Sequence, residues 1–406
     1  MVEVSAGDTA WLLGSAGLVL FMTPGLAMFY GGMVRAKNVL AMLMMNYIAM
    51  GIVTILWIVA GASLAFSGNA AAGLAGNLGL VGLRGLGTGN AVFGLSVPDS
   101  AFLMFQLMFA IITPAVVAGA VAERMKFTAW MAFVAAWSLL VYAPLAHWVW
   151  SGGFIASELH AIDFAGGMVV EINSGASALA LVLVLGPRTG WGRQIIRPHN
   201  LPLTILGAGI LWFGWFGFNA GSSLAANGLA SQAFMTTHIA AAVAASAWIA
   251  AEAITGGKPT TLGFASGAVA GLVAITPAAG FVTAIGAVAI GVAAGFVCFA
   301  ALRLKTAFRF DDSLDVVAVH LVGGVVGTLL LGILADRTIN AAAGGGLEQL
   351  GRQAMAVAVA FGYTFTATFV IAKALDMWFG IRVSEAIEHE GLDVVLHEEQ
   401  AYLLTE

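Results

Sequence analysis

The chain has 406 residues, 60% of them hydrophobic and only 9% charged, with a formal net charge of −5 and a mean hydropathy of +0.96. A soluble domain carries about 25% charged residues, so this balance excludes a soluble globular protein, leaves no basic surface for nucleic acid, and indicates an integral membrane protein. The single Cys298 rules out a disulfide or thiolate-metal framework.

Only eight residues, none of them basic, precede the first apolar run, so no cleavable signal peptide is expected. Eleven apolar runs approach the roughly 20 residues that cross a bilayer core. They lie at about 9–31, 41–66, 100–122, 127–147, 164–186, 201–220, 233–254, 261–278, 281–302, 316–335 and 353–377. The connection near 67–99 is the longest; glycine recurs there at every third position from Gly73 to Gly85, which reads as a flexible loop. Of the sixteen Lys and Arg, all but Arg84, Arg337 and Arg352 fall on one side of such a bundle. The positive-inside rule then places the N-terminus outside and the C-terminus inside, an arrangement that eleven spans also require. Residues 1–378 form the spanning domain and 379–406 an acidic internal tail.

Two runs echo each other. The fifth opens on Asp163 and carries Glu171 eight residues on; the tenth opens on Asp312 and carries His320 at the same interval. Eight residues are about 12 Å of helix, near the middle of a roughly 30 Å core. The two runs have opposite directions, so both ionisable groups approach the midplane. Five spans separate them, which fits two inverted five-helix repeats (about 9–186 and 201–335) plus an extra eleventh helix near 353–377, a recurring plan for transporters. An ionisable residue inside a span is costly and faces a pore or the protein interior.

At these residues the chain resembles the Amt/Mep/Rh family of ammonium transporters. The resemblance runs through PGLAMFYGGMVRAKN (24–38), FQLMFAIITPAVVAGAVAER (105–124), DFAGGMVVEINSG (163–175), DDSLDVVAVHLVGG (311–324) and GLDVVLHEEQAY (391–402). It implies an all-α integral membrane protein of eleven transmembrane helices, assembled as a homotrimer in the plasma (inner) membrane, with one ammonium or ammonia pore per protomer. It implies that Trp150, Phe105 and Ser222 recruit the cation, that Asp163 supports this site, and that Phe109 and Phe218 close the outer pore. Aromatic faces suit a small cation, at about 0.5–2 kcal/mol for each contact. His320 matches the second of the two histidines that share a hydrogen bond in the family's pore. Glu171 departs from the usual first histidine, as it does in some members. A Glu–His pair titrates as a coupled unit, so the expectation is a pore that still conducts with altered pH dependence and selectivity. The ending, with Gly391, Asp393, His397 and Tyr402, resembles the family's regulatory tail, although Glu398 replaces the usual glycine after the histidine. It implies docking across protomers and a possible PII-type signal protein at the cytoplasmic face.

Other readings are weaker. His147 is expected at the membrane interface, and His238 in a structural or interfacial position. Glu123 and Arg124 read as a snorkelling pair at an internal helix end. Asp312 and Asp315 are expected to order the start of the tenth helix. No nucleotide-binding or enzymatic constellation accompanies these groups and no cofactor is implied. The alternative function is an ammonium sensor that binds with little transport; a gas channel of the Rh type fits Trp150 with Ser222 less well.

Overall fold

The computed structural model describes residues 2–87, 89–194 and 196–402. In chain order its main helices are α1 (Ala6–Met33), α2 (Ala36–Phe66), α3 (Asp99–Val121), α4 (Phe127–Ser157), α5 (Gly167–Leu185), α6 (Leu201–Gly221), α7 (Gly228–Ile254), α8 (Thr261–Ile275), α9 (Ala284–Ala307), α10 (Val317–Leu334) and α11 (Leu347–Phe379). All but α8 are long and apolar enough to cross a bilayer; α8 has 15 residues and stops before Pro277, which has no N–H to continue it. Two short helices follow in the tail, α12 (Glu385–Glu390) and α13 (Leu392–His397).

Lipid removes the hydrophobic drive between helices, so close van der Waals contact has to hold them. The α1–α6 pair shows how. A Cβ on Gly207 would lie 2.3 Å from the backbone nitrogen of Phe29, and one on Gly25 2.5 Å from the Ile210 side chain. α3 is the central helix, with 94% of its spanning window buried, whereas α11 lies outermost at 22%.

The expected flexible loop is tied down. Residues Asn69–Ala70 (β1) and Ala75–Gly76 (β2) pair antiparallel. Ser63 and Ser67 donate hydrogen bonds to the Asn77 carbonyl at 2.9 and 2.6 Å. His147 corrects its sequence reading: it is fully buried rather than interfacial. Its Nδ1 is 3.1 Å from the Ala65 carbonyl and its Nε2 is 2.8 Å from Asn69 Oδ1, so it clamps the loop to α4. His238 is exposed, against the Trp212 ring at 5.5 Å.

α5 begins at Gly167, later than its apolar run, because Gly166 has φ 115° and breaks the helix before it. Both α5 and α10 open with a π turn, Gly167–Ile172 and Val317–Leu321. Such turns cluster at functional sites, and each carries one of the two ionisable residues.

Candidate functional site

A cavity of about 280 Å³ opens at the end of the bundle where α3 and α5 begin. Trp150, Ser222, Phe109 and Gln106 are among its lining residues. The Trp150 indole N–H donates to the Asp163 carbonyl at 3.1 Å, which fixes the ring at the rim. The Ser222 hydroxyl donates to the Phe218 carbonyl at 2.8 Å, so its lone pairs stay free to accept. Phe105 is fully buried beneath this wall, its ring centroid 4.9 Å from that of Phe109. It backs the site and is absent from the cavity lining.

Asp163 does not reach into the cavity. Its Oδ1 accepts from the N–H of Gly166 and Gly167 at 2.8 and 2.7 Å, and its Oδ2 from Met168 and Val169 at 2.7 and 3.4 Å. Those are the free N–H groups that begin α5. One carboxylate therefore orients the helix start while its backbone oxygen holds Trp150.

Below the cavity the Phe109 and Phe218 rings overlap, with centroids 4.3 Å apart and planes at 42°. Both are essentially inaccessible. Beneath them lies a chamber of about 20 Å³ whose ionisable lining is Glu171 and His320 and whose remainder is apolar, including Phe218 and Trp215. His320 Nδ1 is 2.7 Å from Glu171 Oε2, and both side chains are buried. The pair joins α5 to α10 across the centre of the fold.

Two glycines allow that contact. Gly175 is four residues beyond Glu171, and a Cβ there would meet the Leu321 backbone nitrogen at 2.4 Å. Gly324 is four residues beyond His320, and a Cβ there would meet the Glu171 Cβ at 2.9 Å. Residues four apart share a helix face, so each glycine lies directly behind one ionisable group. The sequence echo therefore extends to a third position, which is visible once Asp163, Glu171 and Gly175 are set beside Asp312, His320 and Gly324. The aspartates differ, however: Asp312 Oδ2 accepts from Val317 N–H at 2.7 Å, while its Oδ1 is buried without a partner among the described residues. Asp315 pairs with Lys305 at 2.5 Å.

At the opposite end from the cavity the helix termini are joined by buried charges. Glu123 accepts from Arg35, Asn38 and Arg188; Arg188 also grips Asp311 through two nitrogens, each at 2.8 Å. Arg124 donates to the Gly186 carbonyl and the Ser313 hydroxyl. Glu123 and Arg124 are 2% and 0% exposed, which corrects the reading of a snorkelling pair: both are engaged by partners far along the chain. Burial alone would push Glu123 up, but Arg188 and then Arg35 hold it below its ordinary value. Asp311 is likewise held down, against burial, by Arg188 and Arg124.

The tail docks onto this charged end. Asp393 accepts from Leu40 N–H at 3.0 Å and Ala41 N–H at 2.8 Å, capping α2. Gly391 has φ 121°, and a Cβ there would lie 2.7 Å from the Lys37 Cβ, so both conformation and space call for glycine. The His397 ring packs edge-on against Phe127 at 5.1 Å, and the Tyr402 hydroxyl is 2.8 Å from His199 Nε2. Positions 403–406 of the expected tail lie outside the described residues.

Sequence reasoning missed Gln106 and Trp215 on the cavity and chamber walls. Gln106 stood within the quoted FQLMF stretch, and its signal was an amide side chain inside an otherwise apolar span.

Comparison with known proteins agrees with this architecture. Residues 10–402 match the model of the Ammonium Transporter Family. An ammonium transporter of Mycobacterium tuberculosis is 50% identical over 98% of this chain and 90% of its own. The crystal structure of Saccharomyces cerevisiae Mep2 superposes with a TM-score of 0.87 at 35% identity, covering 94% of this chain and 88% of that one. A structure described as a sensor Amt protein gives 0.90 at 30% identity, covering 97% and 98%. The cavity, the Phe109–Phe218 ring pair and the buried Glu171–His320 pair thus occur in a multi-pass membrane protein that belongs to the ammonium transporter family.

Proposed function

We propose that each protomer carries ammonium across the cytoplasmic membrane through the path from the cavity to the Glu171–His320 pair. The observation that carries this reading is the 2.7 Å contact between Glu171 and His320 in an otherwise apolar chamber beneath the Phe109–Phe218 ring pair. An isolated charge in such a chamber is strongly disfavoured. A Glu–His pair that shares one proton remains neutral overall; a further proton taken from ammonium makes the pair a cation, which must pass a proton on toward the far face to return to neutrality.

In this reading Trp150 and Ser222 receive the cation, Phe105 supports the aromatic wall, and Asp163 keeps the helix start and Trp150 in register. Phe109 and Phe218 strip and exclude water. The fold is read as eleven spans, with α8 and the buried turns after it completing the eighth. The two five-helix repeats are inverted, with the N-terminus outside and the charged end with the tail in the cytoplasm; three chains assemble as a homotrimer. The tail from 379, through Gly391, Asp393, His397 and Tyr402, is a regulatory element. A PII-type protein is its candidate partner.

The test is the current evoked by an ammonium pulse in liposomes on a solid-supported membrane, with Glu171→Gln and Glu171→His alongside. Ammonium-specific current that is lost or changed in pH dependence in the Gln variant supports the reading. Unchanged transport across pH in Glu171→Gln refutes the role of the pair. The likeness to a sensor Amt protein favours a second reading, ammonium binding with little transport. Binding without current, and without internal pH change on a trapped dye, would select it.

A further inference from the structure

Gln353 lies on the outermost helix, α11, yet its side chain is fully buried. Its carboxamide grips one residue of a distant segment. The Oε1 accepts the Ile162 N–H at 2.8 Å, and the Nε2 donates to the Ile162 carbonyl, also at 2.8 Å. Gln349 Nε2 donates to the same Oε1 at 3.2 Å and to the His160 carbonyl at 3.3 Å. The Gln353 Nε2 also lies 3.5 Å from the Thr328 carbonyl of α10. Both donors and both acceptor positions of the amide are thus engaged, and turning it over would set N–H against N–H at Ile162. The clasped segment has no regular structure of its own. His160 has φ 49° and Gly166 φ 115°. Its fixing bonds come from other elements: Ile162 is held by α11, and the Phe164 N–H donates to the Pro277 carbonyl at 3.1 Å. Without the clasp both backbone groups of the half-buried Ile162 would lose their partner, and unpaired backbone groups away from water are expensive.

We propose that Gln353 is a positioning residue for ammonium uptake: through its clasp on Ile162, α11 holds the segment that carries Asp163 and so sets the place of Trp150. This deepens the proposed function and rests on its assignment of Trp150 to the cation. Asp163 follows Ile162 directly and has two tasks. Its carbonyl accepts the Trp150 indole N–H at 3.1 Å, and its carboxylate gathers the N–H groups that begin α5. The peptide unit between Ile162 and Asp163 is planar and rigid, so the clasped Ile162 carbonyl and the Asp163 N–H move as one body. Gln353 is absent from the lining of both the cavity and the chamber, and it acts through Asp163 alone. A close helix approach seats it. A Cβ on Gly332 of α10 would lie 2.7 Å from the Leu350 Cα and 3.2 Å from the Gln353 Cγ. The helix left outside the two proposed repeats thereby governs the geometry of the path without touching it.

The full chain in liposomes would be compared with Gln353→Leu, which removes the clasp at similar volume, and Gln353→Glu. A neutral Glu side chain can still accept the Ile162 N–H and donate to the Ile162 carbonyl; its carboxylate has no donor and sets oxygen against that carbonyl. Three measurements are needed: hydrogen exchange of 160–172, the ammonium dependence of the current, and equilibrium binding of 15N-ammonium by NMR line broadening. The Leu variant is expected to exchange faster over 160–172 and to raise the half-saturating ammonium concentration about 3- to 10-fold, the worth of a weakened cation–aromatic contact, while current at saturating ammonium stays within about threefold. The Glu variant is expected to match the parent at about pH 5.5 outside and to fall toward the Leu variant by about pH 8.5, because burial favours its neutral form but not without limit. A side chain that only fills space would not give that pH-dependent rescue. Exchange and half-saturation in Gln353→Leu within twofold of the parent would overturn the proposal. If that variant does not fold, the Glu variant decides: a current relative to the parent that stays flat over the same pH interval overturns it. Parent protein without current whose ammonium binding weakens in Gln353→Leu would preserve the positioning role and sink the transport reading. Parent current with exchange and binding untouched in that variant would do the reverse.

Discussion

Helices α5 and α10 follow one plan. Each has an aspartate ahead of its first turn, a π turn, an ionisable residue eight positions on and a glycine four beyond that. Their starts are finished differently. Asp163 receives four backbone N–H groups through both oxygens, whereas Asp312 receives one from Val317 and keeps Oδ1 bare. The crossing of the two helices is thus shared between the halves of the chain, but the rigidity of their starts is not. The cavity lies at the fully capped end. Orientation of Trp150 depends on that end through the Asp163 carbonyl, so strong capping coincides with the place where ring geometry matters.

The largest effect should come from filling the crossing. Gly175→Val places carbon against the Leu321 backbone, which cannot yield like a side-chain tip. Overpacking costs about 1–3 kcal/mol and sometimes more, so little folded protein should survive detergent extraction, as scored by size-exclusion chromatography. Gly324→Ala presses on the Glu171 Cβ instead and should leave a folded protein with ammonium current reduced at least about tenfold, since a 1 Å misplacement can cost that much or more. Folded Gly175→Val with full current would break the idea of a tight crossing.

An intermediate effect should separate the two aspartates. Asp163→Ala removes charged hydrogen bonds worth about 1.5–3 kcal/mol each at most, and should lower thermal stability clearly more than Asp312→Ala, which loses one such bond. Equal shifts in unfolding midpoint would show that the unequal capping has no energetic consequence.

The smallest effect concerns the charged end, which both halves share through Glu123 and Asp311. Their folded-state values lie below the ordinary carboxylate range, so each takes up protons more readily when unfolded. Their stabilisation is fully present above roughly pH 5 and is lost as pH falls through the lowered folded values, below about pH 4. Hydrogen exchange at 379–402 should accelerate over that interval while α5 and α10 stay protected. Glu123→Gln should loosen the tail at neutral pH and flatten this acid response. An unchanged acid response in that variant would assign the effect elsewhere.

Much of the fold was legible because a spanning helix writes itself into sequence as an apolar run, and each run holds a helix. The Asp–Glu and Asp–His echo also brought Glu171 and His320 to one site, because eight residues of helix fix depth. What the sequence did not reveal depends on partners distant along the chain. Whether Glu123 snorkels or is buried turns on Arg188, 65 positions away. His147 looked interfacial because its clamp to Asn69 spans 78 positions. Phe105 and Phe109 share a face by spacing, yet only contact with Gly221 decides that Phe105 lies under the wall while Phe109 lines it. The clasp of Gln353 on Ile162 spans 191 positions and has no signature in the residue itself.

The chamber between Phe218 and His320 has about 20 Å³ of space, and one water-sized molecule needs about 10–15 Å³ of such volume. On the proposed transport path, a compartment of that size holds one molecule at a time. Molecules arriving from opposite faces exclude one another, so ammonium added on the far side should slow tracer entering from the near side even when it leaves the driving gradient unchanged. The ratio of the two one-way fluxes then tests whether the chamber admits a single molecule.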